Sequence, residues 1–215
     1  MKKLVFFLIA LLVVSSFGEE PAPKQRHKNS FYFDATIGTT LHHFGAEQTV
    51  RDNSGSSSGN GSYEKDIGYT GFGPLFSMRF GSLIYGGIAF FANIEFEYTT
   101  GKVYGREKGE ENAEPNSFIL GAGPGMLVYP FFDSEGAAKN VYMAATVNLL
   151  ACNGGGIGGL GGNIVLEAGY LYPVSKRFNY GFAAGANLIS PGSFDDKIKN
   201  ESAFGVWAGL KLVRK

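Results

Sequence analysis

The chain has 215 residues, 19 acidic and 19 basic side chains, and a single cysteine, Cys152. Zero formal net charge gives no electrostatic basis for a nucleic-acid partner, and a lone cysteine excludes an intramolecular disulfide. The 32 glycines interleave with 19 Phe and 11 Tyr instead of recurring every third residue, so the composition reads as ordered β structure and not as collagen or low-complexity chain.

Lys2 and Lys3 precede an apolar run from Leu4 to Val14, and the small residues Ser15, Ser16 and Gly18 follow. This is the three-part layout of a secretory signal peptide. The run is too short for a helix that spans a bilayer, which needs about 20 apolar residues, so residues 1–18 are expected to be removed just after Gly18. No cysteine stands near that point, and no lipid anchor is expected. Residues 19–29 carry Pro, Lys and Arg without apolar periodicity and read as a flexible leader. The remainder, 30–215, is sized for one all-β domain.

From Ser30 onward, apolar and small or polar residues alternate with period two between turn-forming clusters. In chain order the alternating stretches are Ser30–His43, Asp66–Phe80, Gly87–Gly101, Ser117–Tyr129, Asn140–Ala151, Gly162–Tyr172, Phe178–Ile189 and Ser202–Val213. Most reach the roughly 9–11 residues that a tilted strand needs to cross a membrane. The connections Gly45–Lys65, Lys102–Asn116, Asn153–Gly161 and Ser190–Glu201 are polar, whereas Gly81–Gly86, Pro130–Lys139 and Pro173–Arg177 are shorter or contain aromatics. Long loops on one side and short turns on the other predict an all-β, closed antiparallel up-and-down transmembrane β-barrel of eight strands. Both chain ends then lie on the short-turn side.

The two faces of the alternation differ in content. One is bulky and apolar: Ile88, Phe90, Ile94, Phe96 and Tyr98 in the third stretch, Phe118, Leu120 and Met126 in the fourth, Phe204, Val206, Leu210 and Leu212 in the last. The other carries Asn93, Glu95, Glu97, Gly121, Gly123, Gly125, Gly205, Gly209 and Lys211. The bulky set does not fit inside so small a barrel, so it is read as facing lipid, with glycine and charge facing the lumen. Aromatics near the short turns (Phe31, Phe33, Phe76, Phe80, Tyr129, Phe131, Phe132, Tyr142, Tyr170, Tyr172, Phe178, Tyr180) are read as a girdle at headgroup depth.

The first strand of a closed meander pairs with the second and the last. Asp34 is therefore expected between Arg79 and Lys211 in a structural ionic cluster. Glu95, Glu97 and Glu167 also point inward, nearer mid-barrel and without an expected base at their height, with Asn93, Asn148 and Asn187 to complete a hydrogen-bond network. His42 and His43 stand at the outer end of the first strand, but no serine or acid at a diagnostic spacing joins them into a triad. Neighbouring side chains on a strand point to opposite faces, which also argues against a shared metal. The segment Gly154–Gly159 contains a formal G-x-G-x-x-G but opens no helix, so it is read as a flexible outer loop and not a nucleotide site. Cys152 beside it reads as an apolar residue, since nothing nearby would lower its pKa.

With the signal peptide, the eight alternating segments and the run Gly121-Ala122-Gly123-Pro124-Gly125 leading to Tyr129-Pro130-Phe131, the chain from Ser30 to Lys215 resembles the small outer-membrane β-barrel superfamily, the OmpA/OmpX-type barrels. The resemblance implies a bacterial outer-membrane address with both termini in the periplasm, and insertion by the barrel-assembly machinery. It departs from the common pattern at its end, Leu212-Val213-Arg214-Lys215, where such barrels finish on an aromatic residue. No domain for peptidoglycan anchoring is expected after the barrel. Members include adhesins, anchors, narrow channels and enzymes, so the fold does not fix the role. The leading expectation is a non-enzymatic, monomeric barrel without cofactor or metal, acting structurally or through outer loops on a surface partner. The alternative is a narrow pore or small-ligand conduit, and the third is lipid modification at His42 or His43.

Overall fold

The computed structural model describes residues 30–51, 62–84, 87–105, 116–154, 157–175, 178–192, 198–201 and 203–214. The expected signal peptide and leader, residues 1–29, lie outside the described residues. Strands β1 (Ser30–Arg51), β2 (Ser62–Ile84), β3 (Ile88–Tyr104), β4 (Asn116–Val128), β5 (Val141–Gly154), β6 (Ile157–Pro173) and β7 (Phe178–Pro191) follow one another, then a short β8 (Ile198–Asn200) and β9 (Ala203–Arg214). Neighbours are antiparallel, and β1 pairs with β2 on one side and β9 on the other, so the sheet closes on itself. The eight long strands form the up-and-down barrel that the alternation predicts. β8 extends the wall beyond β9, along Ala46–Gln48 of β1.

Ladder partners followed round the wall give the stagger. From Tyr32 the path runs through Gly81, Phe91, Gly125, Thr146, Val165, Asn187 and Gly205, and returns to β1 at His42, ten residues from its start. For eight strands about 4.8 Å apart, a shear of ten tilts each strand by about 41° and sets a backbone radius of about 8 Å. Such a wall encloses one layer of side chains meeting at the axis.

Two expected loops are largely ladder. β1 and β2 stay paired out to Arg51 and Ser62; the buried inward alternation runs on from Phe44 and Tyr69 to Ala46 and Ile67, so the ladder enters the polar segment with its register already set. In Asn153–Gly161, Gly154 faces Ile157 and Cys152 faces Gly159, making a tight hairpin where a flexible loop was expected. Glycine carries no side-chain pattern, so the strand is invisible in the sequence there. Connection lengths consequently do not alternate cleanly. At the end away from the termini, 155–156 is short, while at the terminal end 129–140 is long and holds the 3-10 turn Gly136–Asn140.

Exposure on β3 alternates from Ala89 to Thr100, with Phe90, Ala92, Ile94, Phe96 and Tyr98 outward. From Ile88 to Tyr98 this apolar wall rises about 26 Å along the barrel axis at the derived tilt. Among the described residues, the first outward ionised side chains beyond it are Arg214 at the terminal end and Lys102 at the far end. Near the terminal end Phe31, Phe80, Phe131, Phe132, Tyr172, Phe178 and Tyr180 are exposed. Tyr129 and Tyr142, expected among them, point inward and are buried, with ring centroids 6.2 Å apart. Their strand parity, and not their nearness to a turn, decides their direction.

The interior is more apolar than a lumen of glycine and charge. A tier around Tyr32, Phe91, Leu127, Tyr142, Leu171 and Val213 fills the terminal end, and one around Phe44, Ile67, Tyr69, Ile119, Cys152 and Ile189 fills the far end. The inward glycines make this possible because several face a large inward side chain across the ladder: Gly125 faces Phe91, Gly169 faces Tyr142, Gly185 faces Trp207. A Cβ at Gly185 would lie 2.7 Å from the Trp207 ring.

Candidate functional site

Between the apolar tiers lies a polar zone built from inward positions of seven of the eight long strands. Asp34 and Arg79 are direct ladder partners, and Lys211 faces Thr36, the next inward residue of β1. Lys211 Nζ sits 3.1 Å from Asp34 Oδ2 and 2.5 Å from Glu167 Oε1. Arg79 Nη2 lies 2.5 Å from Glu167 Oε2, and Nη1 lies 3.8 Å from Asp34 Oδ2. Acid and base thus alternate round a closed ring of four. The Tyr32 hydroxyl donates to Asp34 and the Tyr142 hydroxyl donates to Glu167 Oε1 at 2.6 Å. Arg79 also stands over the Phe91 ring and Lys211 over the Tyr142 ring, at 4.8 and 5.1 Å.

The expectation that Glu167 has no base at its height is corrected: it holds two. The stagger of the wall brings β6 level with Asp34 on the opposite side of the lumen, and sequence alternation gives a residue's face but not its height.

Above the ring, toward the far end, amides take over. Arg79 Nε donates to Asn93 Oδ1 at 3.3 Å, and Asn93 Nδ2 reaches Asn148 Oδ1 at 3.2 Å and Glu95 Oε2 at 3.4 Å. Asn163 Nδ2 donates to Glu95 Oε1 at 2.6 Å and to Asn187 Oδ1 at 2.9 Å. Asn187 Nδ2 donates to Glu97 Oε1 at 3.2 Å, and the other Glu97 oxygen meets His42 Nε2. Glu97 is therefore also corrected, since an imidazole stands beside it. Asn163 is the member that sequence reading missed, and His42, singled out there only as a rim candidate for catalysis, is the imidazole beside Glu97; strand parity places both on the inward face.

His42 and His43 point to opposite sides of the wall, as neighbours on a strand must. His42 is buried, and its Nε2 meets both Glu97 and Thr40 Oγ1, the latter at 2.7 Å. Its Nδ1 has no hydrogen-bond partner among the described residues. A nucleophile, base and acid relay needs the two ring nitrogens engaged by different partners, and here both partners share one. His43 is exposed, with Nδ1 2.8 Å from Thr70 Oγ1. Cys152 Sγ is buried and donates to the Gly159 carbonyl at 3.7 Å. No cluster of three or more His, Cys, Asp or Glu arranged for a metal occurs among the described residues.

No family model matches the chain, and no curated protein matches it. Among solved structures it is similar to Neisserial surface protein A, with a TM-score of 0.43 at 16% identity over 86% of this chain and 98% of that one. It is also similar to the outer membrane protein AlkL, with a TM-score of 0.45 at 10% identity over 92% and 96%. For the outer membrane protein OprG from Pseudomonas aeruginosa the TM-score is 0.44 at 10% identity over 86% and 96%. The barrel architecture rests on the strand registers and not on these likenesses.

Proposed function

We propose that this protein is an integral outer-membrane barrel with a closed, packed lumen, acting as a non-enzymatic structural or surface-contact element through the hairpins at its far end. The observation that carries the reading is the inversion of the wall: bulky apolar residues outward over about 26 Å, charge and amides inward, the arrangement lipid requires. The exposed aromatics near the terminal end fit headgroup depth, and both termini are assigned to the periplasm. Beyond His43, the β1–β2 hairpin stands clear of the apolar wall with Glu47, Thr49, Glu64 and Asp66 on its outward face or edges, a composition suited to water.

The pore reading is disfavoured by the two apolar tiers that close the polar zone at either end. In planar bilayers the folded protein is expected to be electrically silent. A steady cation-selective current abolished by Glu95→Gln with Glu97→Gln would overturn the closed-lumen reading. Heat-modifiable gel migration tests the folded barrel, and surface proteolysis of the 52–61 connection tests orientation. Shortening that connection should alter binding to a surface partner while insertion persists. The barrel-assembly machinery is the proposed partner in biogenesis, and the folded form is taken to be monomeric.

A further inference from the structure

The outward face changes from apolar to polar within one or two outward positions at the far rim, and on β1–β4 the polar residues stand side by side. His43 faces Thr70, Thr70 faces Lys102, and Thr100 faces Asn116 across successive ladders. Directly below them Leu41, Phe72, Tyr98 and Phe118 are exposed. His43 Nδ1 lies 2.8 Å from the Thr70 hydroxyl, and in the tautomer that accepts from that hydroxyl the imidazole turns Nε2–H outward as a donor. Asn116 accepts from the Thr100 hydroxyl through its oxygen at 3.3 Å, so its amide N–H groups remain as donors. Lys102 adds an exposed ammonium. The first outward carboxylates on β1 and β2, Glu47 and Asp66, lie four positions farther out, and the Glu201 carboxylate, beyond β8, stands over Gly45 at the edge of the row, two positions past His43. On the other half of the rim the corresponding outward residues, Asn153, Gly158, Ser190 and Phe204, carry no charge.

We infer that the crescent of His43, Thr70, Lys102 and Asn116 seats the phosphate of an outer-leaflet lipid, whose acyl chains lie on the apolar shelf beneath. A row of donors with one ammonium fits a group that presents several anionic oxygens. The inference rests on the membrane reading above, because that reading puts this rim at headgroup level.

The test is native mass spectrometry of the full chain folded in detergent and supplied with phosphatidylglycerol or, separately, with a phosphate-free galactosyl diacylglycerol. Retention of phosphatidylglycerol but not of the glycolipid is expected. Lys102→Gln with His43→Gln should cut that retention at least about five-fold, the weight of one surface lysine against an anionic lipid, whereas Arg214→Gln at the opposite rim should leave it unchanged. Equal retention of the two lipids, or full retention by the double variant, would overturn the site. Displacement of the lipid by excess inorganic phosphate would overturn it as a lipid site. The membrane reading is tested apart from this by insertion into vesicles: failure to insert defeats that reading, while insertion without selective retention defeats the crescent alone.

Discussion

The ionic ring and the amide layer above it solve one problem in two ways. Each places two carboxylates where water is excluded, since Asp34, Glu95, Glu97 and Glu167 are all at most 4% exposed. In the ring, Arg79 and Lys211 supply opposite charge, each shared by both acids. In the layer above, Glu95 and Glu97 are held chiefly by N–H dipoles from Asn93, Asn163 and Asn187, with one imidazole at the edge. Removing a counter-charge strands a buried ion, while removing an amide removes a dipole. The two tiers should therefore respond differently to single substitutions.

The largest effect is expected for Lys211→Met, which leaves Asp34 and Glu167 to share one guanidinium. Breaking a buried pair from one side costs about 3–5 kcal/mol, to be read as a lowered urea midpoint for the barrel folded into vesicles. Adding Glu167→Gln restores charge balance around Asp34 and Arg79. The double variant should be more stable than the sum of the two single losses predicts, by about 0.5–3 kcal/mol of coupling. Strict additivity would mean that the ring does not act as a unit.

In the amide layer, Asn163→Ala removes two donated hydrogen bonds and is expected to cost about 1–3 kcal/mol, the range for a buried partner left unsatisfied. A loss as large as that of Lys211→Met would erase the distinction between charge and dipole. A loss within error would show that the remaining amides close over the gap.

How far these tiers were legible depends on distance along the wall. Asp34 and Arg79 are adjacent-strand partners, and Lys211 lies one inward step from Asp34 on the strand that closes the barrel, so alternation and the meander suffice to bring them together. Glu167 reaches the same ring across the lumen, and its height follows only from the shear of ten, which depends on every turn at once. Tyr142 was legible and misread: it shares parity with Ala144, Thr146 and Asn148, all inward. The β5–β6 hairpin was illegible, since a run of glycines shows no alternation whether it is paired or not.

The smallest effect is expected outside the wall, at a solvent-exposed ion pair. Lys199 Nζ lies 3.2 Å from Glu47 Oε2, a shorter separation than the 3.8 Å between Arg79 and Asp34, yet the lysine side chain is 82% exposed. The hydrogen bond to Glu47, and then its charge, raise the lysine pKa. A lysine raised on folding contributes stability below its unfolded pKa and loses it as pH rises through the folded value, so any contribution would fade only on the alkaline side. Solvent and salt screen such a pair, and Lys199→Ala should leave the neutral-pH urea midpoint where it was. A drop comparable to that of Lys211→Met would show that proximity of charge, and not its burial, sets the cost of breaking an ion pair in this barrel.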